Sequence, residues 1–178
     1  MPEGFCKTCR GGCCTEFVVY ITHADIKRLK QFTKKAPERF VVPYLDDGRS
    51  PYPLVDLDDY GPNLRLGLIR NDDKCVFMDT LNSQIRCTVH SHKPMVCRTY
   101  PFSFIESGEL IHVEPYKCPK PILPVSPEES EQILLEVNQL FNEFDEYEIL
   151  TKEWNSSLNN WKKEFEILIN FLLQKGQR

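Results

Sequence analysis

Hydrophobic and polar positions follow two different patterns along the chain, and the change comes near residue 122. Before that point, short apolar runs alternate with turn residues, and residues 17–20, 64–69 and 75–78 are strand candidates. The runs at 102–106 and 110–114 flank a Ser-Gly pair, which is a hairpin signal. This part of the chain therefore predicts short antiparallel hairpins.

The same part also contains helix and loop signals. Thr22 followed by Asp25 resembles a capping box, and the apolar spacing after it predicts a helix that ends near Lys35. Pro37 predicts a second, short helix through Val42. Residues 46–63, rich in proline, glycine and aspartate, predict a loop.

After residue 122 the apolar positions recur at helical spacing. Ser126 followed by Pro127 and two acidic residues predicts a helix start, with serine at the N-cap and proline at the first helical position. A later stripe of large apolar residues has spacings of four, three and four: Trp161, Phe165, Leu168 and Leu172. We interpret this stripe as core packing, and a groove that docks a partner is the alternative.

These elements predict an α+β fold. We expect a small, irregular domain over residues 1–122, with short antiparallel hairpins packed against C-terminal helices. The helical segment over residues 123–178 is expected to share the same core. A chain of 178 residues is long enough to bury a core without disulfides.

Charge and hydropathy exclude some classes of function. The net charge of −4 argues against a basic nucleic-acid binder, so we expect no nucleic-acid partner. No apolar run reaches the roughly 18 residues of a transmembrane helix, and the N-terminus lacks a signal-peptide pattern. We therefore expect a cytoplasmic protein that does not contact a membrane. An unidentified protein partner is left open.

Eight cysteines in a reducing compartment indicate metal ligation, so we expect the domain over residues 1–122 to be a metal-bound cysteine domain. The candidate ligands are Cys6, Cys9, Cys13, Cys14, Cys75, Cys87, Cys97 and Cys118. Four of them fall within nine residues, a spacing that lets several sulfurs converge on one centre. Because zinc sites and common iron–sulfur clusters each take four ligands, eight thiols suffice for one or two centres. Adjacent side chains usually point apart, so we expect Cys13 and Cys14 to serve different centres, or only one to be a ligand.

Other residues near the cysteines have weaker signals. His90 is adjacent to the cysteine-rich region, and we expect it to donate to a ligand or to lie at the surface rather than to bind the metal itself. No serine elbow or glycine-rich phosphate loop is present in the sequence, so catalytic residues stay unassigned and enzyme activity is left open.

The cysteine-rich segments resemble the YkgJ-type cysteine-cluster protein family, described as zinc- or iron-chelating and often labelled Fe–S-cluster-containing. Cys6-x2-Cys9-x3-Cys13-Cys14 resembles its signature, and Lys74-Cys75-Val76-Phe77-Met78 is similar to its "Gly-x-Cys-x-Phe-Leu" element. The string Cys97-Arg98-Thr99-Tyr100-Pro101-Phe102 and the closing Cys118-Pro119 also agree. The chain departs from the family at Lys93, where arginine is usual. Lysine keeps the positive charge but cannot make the two parallel hydrogen bonds of an arginine side chain.

The resemblance implies a protein whose eight cysteines bind metal. We favour an iron–sulfur cluster over zinc, with a redox, sensing or scaffolding role. Arg98 is expected to offset the charge of the centre, and Tyr100 to donate to a sulfur or to backbone. One alternative is a protein-lysine methyltransferase that uses S-adenosylmethionine, by analogy with flagellin lysine-N-methylases. Another is a zinc-stabilised protein-interaction module.

Overall fold

The computed structural model describes residues 12–48, 50–81, 84–100, 102–104, 110–112, 126–157 and 163–175. The chain divides into two compact units. The first, which we call the cysteine unit, comprises Met1–Val19 and Arg70–Phe141, and all eight cysteines belong to it by position. The second, which we call the sheet–helix unit, comprises Tyr20–Ile69 and Asn142–Arg178. The predicted division at residue 122 stays a prediction.

The sheet–helix unit contains a three-stranded antiparallel sheet. Its strands are β1 (Val41–Leu45), β2 (Val55–Leu57) and β3 (Gly61–Leu68), in the order β1-β3-β2. Helix α2 (His23–Thr33) precedes them, and Pro37–Arg39 forms a 3-10 turn. The predicted capping box is confirmed: Asp25 N–H donates to Thr22 Oγ1 at 3.3 Å, and Thr22 N–H donates to the Asp25 carboxylate at 3.1 Å.

Two helices lie at the C-terminal end of the described chain, α4 (Pro127–Ser156) and α5 (Phe165–Lys175). The second half of α4 belongs to the sheet–helix unit and is hydrogen-bonded to the β2 segment. Trp154 Nε1 donates to the Asp56 carbonyl oxygen at 2.9 Å, and Asn155 Nδ2 donates to the Leu54 carbonyl oxygen at 2.9 Å. The core of this unit is apolar, since Leu64, Leu66, Leu68, Leu168 and Leu172 are all buried.

The cysteine unit is built from short elements. Helix α1 (Gly12–Glu16) is followed by three small antiparallel hairpins and, between the second and third of them, by α3 (Met95–Thr99). The hairpin strands are β4 (Arg70–Asn71) with β5 (Lys74–Cys75), β6 (Met78–Leu81) with β7 (Gln84–Cys87), and β8 (Phe102–Phe104) with β9 (Leu110–His112). A 3-10 turn, His90–His92, precedes α3.

The predicted α+β class with short antiparallel sheets is confirmed, as are the hairpin at 102–112 and the helix start at Pro127. Four local predictions were wrong in whole or in part. The loop expected over 46–63 contains β2 and the start of β3, because Val55 pairs with Leu64. A turn at residues 76 and 77 divides the strand expected over 75–78 between two hairpins. The helix expected from Pro37 through Val42 is only a 3-10 turn, after which β1 forms because Val41 pairs with Leu68. The expected strand at 17–20 is reduced to a single bridge between Tyr20 and Gly67.

Two further sequence interpretations, on the apolar stripe and on membrane spans, can be compared with the structure. Phe165, Leu168 and Leu172 are buried, which agrees with core packing, whereas Trp161 lies outside the described residues. Among the residues that the structure describes, no helix combines the length and the apolarity that a membrane span requires.

Candidate metal centre

Helix α1 carries two adjacent cysteines. The helix is closed by a hydrogen bond from Phe17 N–H to the Cys13 carbonyl oxygen at 3.3 Å. The Cys14 thiol donates a hydrogen bond to the Cys13 sulfur. The two side chains therefore approach each other, contrary to the expectation that they point apart. The physical reason is that successive side chains are rotated by about 100° in a helix but alternate between opposite faces in a strand.

Arg70 joins this helix to the next cysteine. Its guanidinium donates to the carbonyl oxygens of Thr15 at 2.7 Å, Phe17 at 2.6 Å and Asp73 at 2.5 Å. Arg70 is also the antiparallel partner of Cys75 in the β4–β5 hairpin. One side chain thus fixes the end of α1 against the hairpin that carries Cys75.

The β4–β5 hairpin turns at two aspartates with left-handed backbones. Asp72 has φ of 49° and Asp73 has φ of 60°. Positive φ at both central residues is the requirement of a type I′ turn, which matches the twist of the two strands. This tight turn brings Arg70 opposite Cys75, which is buried.

Two further cysteines come from the following segments. Cys87 ends β7 and pairs with Met78, and the adjacent Thr88 N–H donates to the Phe77 carbonyl oxygen at 2.8 Å. Cys97 lies in α3, where its N–H donates to the Pro94 carbonyl oxygen at 2.9 Å. The hairpins and the two short helices thus carry the thiols from separate stretches of chain.

Electrostatic interactions connect five thiols, which we call the thiol cluster: Cys13, Cys14, Cys75, Cys87 and Cys97. Burial raises the pKa of Cys97 well above its usual range, and the neighbouring thiols Cys13, Cys75 and Cys87 raise it further. Burial also raises the pKa of Cys75. A negative charge on one of these thiols therefore disfavours ionisation of its neighbours.

Cys13 ionises more readily than Cys14, Cys75 and Cys97, because its pKa is lowered whereas theirs are raised. The hydrogen bond donated by Cys14 lowers the pKa of Cys13 to about 7, with a smaller contribution from the positive charge of Lys93. The same hydrogen bond raises the pKa of Cys14, because ionisation would remove the donated proton. Since metal ligation requires thiolates, metal binding competes with these protons.

Lys93 and Arg70 are the cations beside the cluster. Lys93 is only 6% exposed, and its charge lowers the pKa of both Cys13 and Cys97. The charge of Arg70 lowers the pKa of Cys75. Sequence reasoning missed Arg70, whose only signal is its position before the hairpin turn, opposite Cys75.

The other predicted neighbours of the metal lie as follows. Arg98 donates through Nε to the Lys93 carbonyl oxygen at 3.2 Å and through Nη2 to the Ser91 carbonyl oxygen at 3.0 Å. It thereby holds the loop that precedes α3. The ring of Tyr100 packs against Phe17 with centroids 6.0 Å apart, and His90 begins the 3-10 turn. Their proposed roles beside the metal stay predictions.

The donor set of the thiol cluster suits the metals that thiolates prefer, zinc and iron–sulfur clusters. Cys6, Cys9 and Cys118 lie outside the described residues. In the part of the chain that the structure describes, no three Cys, His, Asp or Glu side chains already form a group that could hold a metal ion. The described thiols supply the right chemistry, and the full ligand set stays a prediction.

Comparison with known proteins gives one family. Residues 5–119, more than half of the chain, match the model of the CxxCxxCC family, described as "Putative zinc- or iron-chelating domain". The family label has two residues between its second and third cysteines, whereas this chain has three, Arg10, Gly11 and Gly12. No curated protein matches the chain, and no solved structure does. The chain therefore belongs to the CxxCxxCC family of zinc- or iron-chelating domains.

Proposed function

We propose that the protein binds a metal centre through cysteine thiolates of the cysteine unit, and that this centre holds the unit together. The observation that carries the proposal is the thiol cluster, in which sulfurs from α1, two hairpins and α3 influence one another's charge. Free thiols from distant segments of the chain gain no stability from lying close together, because a thiolate at one sulfur disfavours ionisation of the next thiol. When thiolates bind a metal ion, their attraction to the metal outweighs the repulsion between them.

The local cations support a thiolate centre. Four thiolates on a divalent metal ion leave a charge of about −2, by counting charges for sites of this type. Lys93 and Arg70 place two positive charges beside the cluster, and both lower the pKa of a nearby thiol. The pair of cations therefore suits a site that becomes anionic when it is loaded.

The short elements of the cysteine unit favour a scaffolding role. Helices α1 and α3 have five residues each, and β4 and β5 have two each. Helices of this length are not stable by themselves, since isolated helices shorter than about 12 residues are marginal. Thiolate ligation that joins them would contribute its binding free energy directly to folding.

For the metal, we propose an iron–sulfur cluster, following the label of the resembling family. The candidate ligands are all cysteines, and all-cysteine ligation suits such clusters. Zinc bound by four cysteines is the competing outcome.

The test is anaerobic purification of the full chain, followed by absorbance and elemental analysis. We expect a brown protein with visible sulfur-to-iron absorption and with iron and acid-labile sulfide in similar amounts. A colourless protein with stoichiometric zinc would refute the cluster and keep the thiolate centre. A folded protein that binds neither metal would overturn the proposed function itself.

A further inference from the structure

A basic concavity lies at the C-terminal end of α2, within the sheet–helix unit. Its volume is about 440 Å³, and seven residues line it: Lys27, Lys30, Gln31, Lys34, Lys35, Ala36 and Leu173. Four of the seven are lysines, and no described residue that lines it is acidic. The chain has a net charge of −4, so this concentration of positive charge runs against the overall balance.

Helical spacing places the lysines together. Lys27, Lys30 and Lys34 are separated by three and four residues and therefore share one face of the helix and its cap. Like charges at these spacings destabilise a helix. The repulsion is therefore a cost that the fold carries at this position and that a bound anion would relieve.

Several other basic side chains in the same unit are paired with carboxylates. Arg28 binds Asp25 and Glu143, Lys152 lies 3.1 Å from Glu148, and Lys175 lies 2.7 Å from Glu153. By contrast, the exposed side chains of Lys30, Lys34 and Lys35 make no ion pair with any residue that the structure describes. Their charges are directed to solvent around one concavity.

Lys34 adds an independent observation. It caps α2 in the left-handed conformation, with φ of 56° and ψ of 17°, and its N–H donates to the Lys30 carbonyl oxygen at 3.0 Å. Glycine or asparagine suits this backbone better than lysine, whose Cβ is strained there. A positively charged residue therefore occupies a backbone position at which glycine or asparagine would be less strained.

We propose that this concavity binds a compact oligophosphate. Lysine ammonium groups act as point charges for phosphate, and the volume falls within the range of small-molecule sites. The positive charges of Lys30, Lys34 and Lys35 outweigh the roughly half negative charge of the helix C-terminus. The net negative charge of the chain repels a long bound polyanion more strongly than a compact one.

Inorganic tripolyphosphate and a nucleoside triphosphate share this chemistry. Ala36 and the half-buried Leu173 form an apolar wall beside the lysines, against which a nucleoside could pack. Calorimetric titration of the full, metal-loaded chain with tripolyphosphate and with ATP, both without magnesium and at low salt, distinguishes the two sources. Equal affinities assign the site to the phosphate chain alone, and tighter binding of ATP assigns it to a nucleotide.

Substitutions test the site itself. K34N removes one charge while keeping a residue that tolerates the left-handed backbone, and K30Q/K34N removes two. We expect the affinity for tripolyphosphate to fall about fivefold for K34N and at least about tenfold for K30Q/K34N. The control K152Q removes the same charge from an exposed position on α4 and should change the affinity less than about twofold.

The unfolding temperature of each variant separates binding from folding. K34N should unfold at the same temperature as the parent or a higher one, while binding more weakly. The proposal is overturned by absence of binding at millimolar tripolyphosphate, by unchanged affinity in K30Q/K34N, or by tighter binding of a single-stranded oligonucleotide than of either triphosphate.

Discussion

The two units of the chain contrast in what fills their interiors. Among the described residues, ten of the twelve largest fully buried side chains belong to the sheet–helix unit, and two, Met95 and Ile133, belong to the cysteine unit. The cysteine unit instead contains the thiol cluster and its two cations. The comparison teaches that apolar packing holds one unit, whereas the other needs a further source of stability, which we assign to metal ligation.

The largest effect should come from removing a thiol. Cys97→Ser replaces a thiol that interacts with Cys13, Cys75 and Cys87, and we expect loss of metal and unfolding of the cysteine unit. The physical reason is that structural zinc sites supply about 10–16 kcal/mol of binding free energy to folding. Metal content and circular dichroism measure the outcome.

The matched control is Val96→Ala, one residue earlier in α3, which removes apolar atoms and no ligand. It should keep the metal and lose only about 1 kcal/mol of stability. If Cys97→Ser and Cys75→Ser both kept a full complement of metal, the contrast between the units would lose its basis.

The next largest effect concerns apolar packing in the sheet–helix unit. Leu66 is 1% exposed on β3, the central strand of the sheet. Leu66→Ala should destabilise the sheet–helix unit by about 2–5 kcal/mol through lost burial and a residual cavity. Thermal unfolding measures the loss, and the metal content of the folded protein should not change. Depletion of metal in this variant would show that the two units are not separately stabilised.

A smaller effect depends on pH. His23 is 3% exposed and stacks on Tyr147, and its Nε2 lies 3.5 Å from a Glu146 carboxylate oxygen. Burial lowers the pKa of His23, outweighing the carboxylates of Glu146, Glu143 and Asp25, which raise it, while Arg28 also lowers it.

The sign of the pH effect follows from linkage. The unfolded chain has the ordinary histidine pKa of about 6.5 and takes up the proton more readily than the folded one. The stability of the sheet–helix unit is therefore complete above that pH and declines as the pH falls below it. Urea unfolding at pH 7.5 and 5.5 should show this decline, and His23→Gln should remove most of it. An equal decline in the variant would assign the pH dependence to other groups.

The smallest effect concerns the cap of α2. Lys34→Gly relieves the left-handed lysine and should stabilise the sheet–helix unit by about 0.5–1 kcal/mol. Lys35→Gly, at the next residue and also exposed, is the matched control and should bring no gain. Chemical denaturation resolves the difference, and an equal response of the two variants would argue against strain at Lys34.

Local signals explain what the sequence could predict. The capping box of Thr22 and Asp25, the hairpin at 102–112, and the start of α4 at Pro127 each depend on a few neighbouring residues. Such features are encoded by backbone preference and short hydrogen bonds. The sequence therefore reveals them without knowledge of the fold.

Long-range pairing explains what the sequence could not predict. Strand β1 forms after Pro37 because β3, some twenty residues later, provides its partner. The hydrogen bonds of Arg70 to Phe17 and Thr15 span 53 and 55 residues. Neither contact leaves a pattern in the local sequence. The candidate cysteines were therefore evident from their spacing, while the contribution of Arg70 beside Cys75 required the structure.

The most direct test of the contrast is hydrogen exchange, resolved by segment, on the metal-loaded protein and on the same protein after removal of the metal with a chelator under reducing conditions. We predict that amides in residues 70–100 lose protection by more than about tenfold on metal removal, whereas those of α2, β3 and the second half of α4 keep theirs. Unchanged protection across residues 70–100 after complete metal removal would contradict the claim that the centre holds the cysteine unit together, and equal loss in both units would contradict their separate stabilisation.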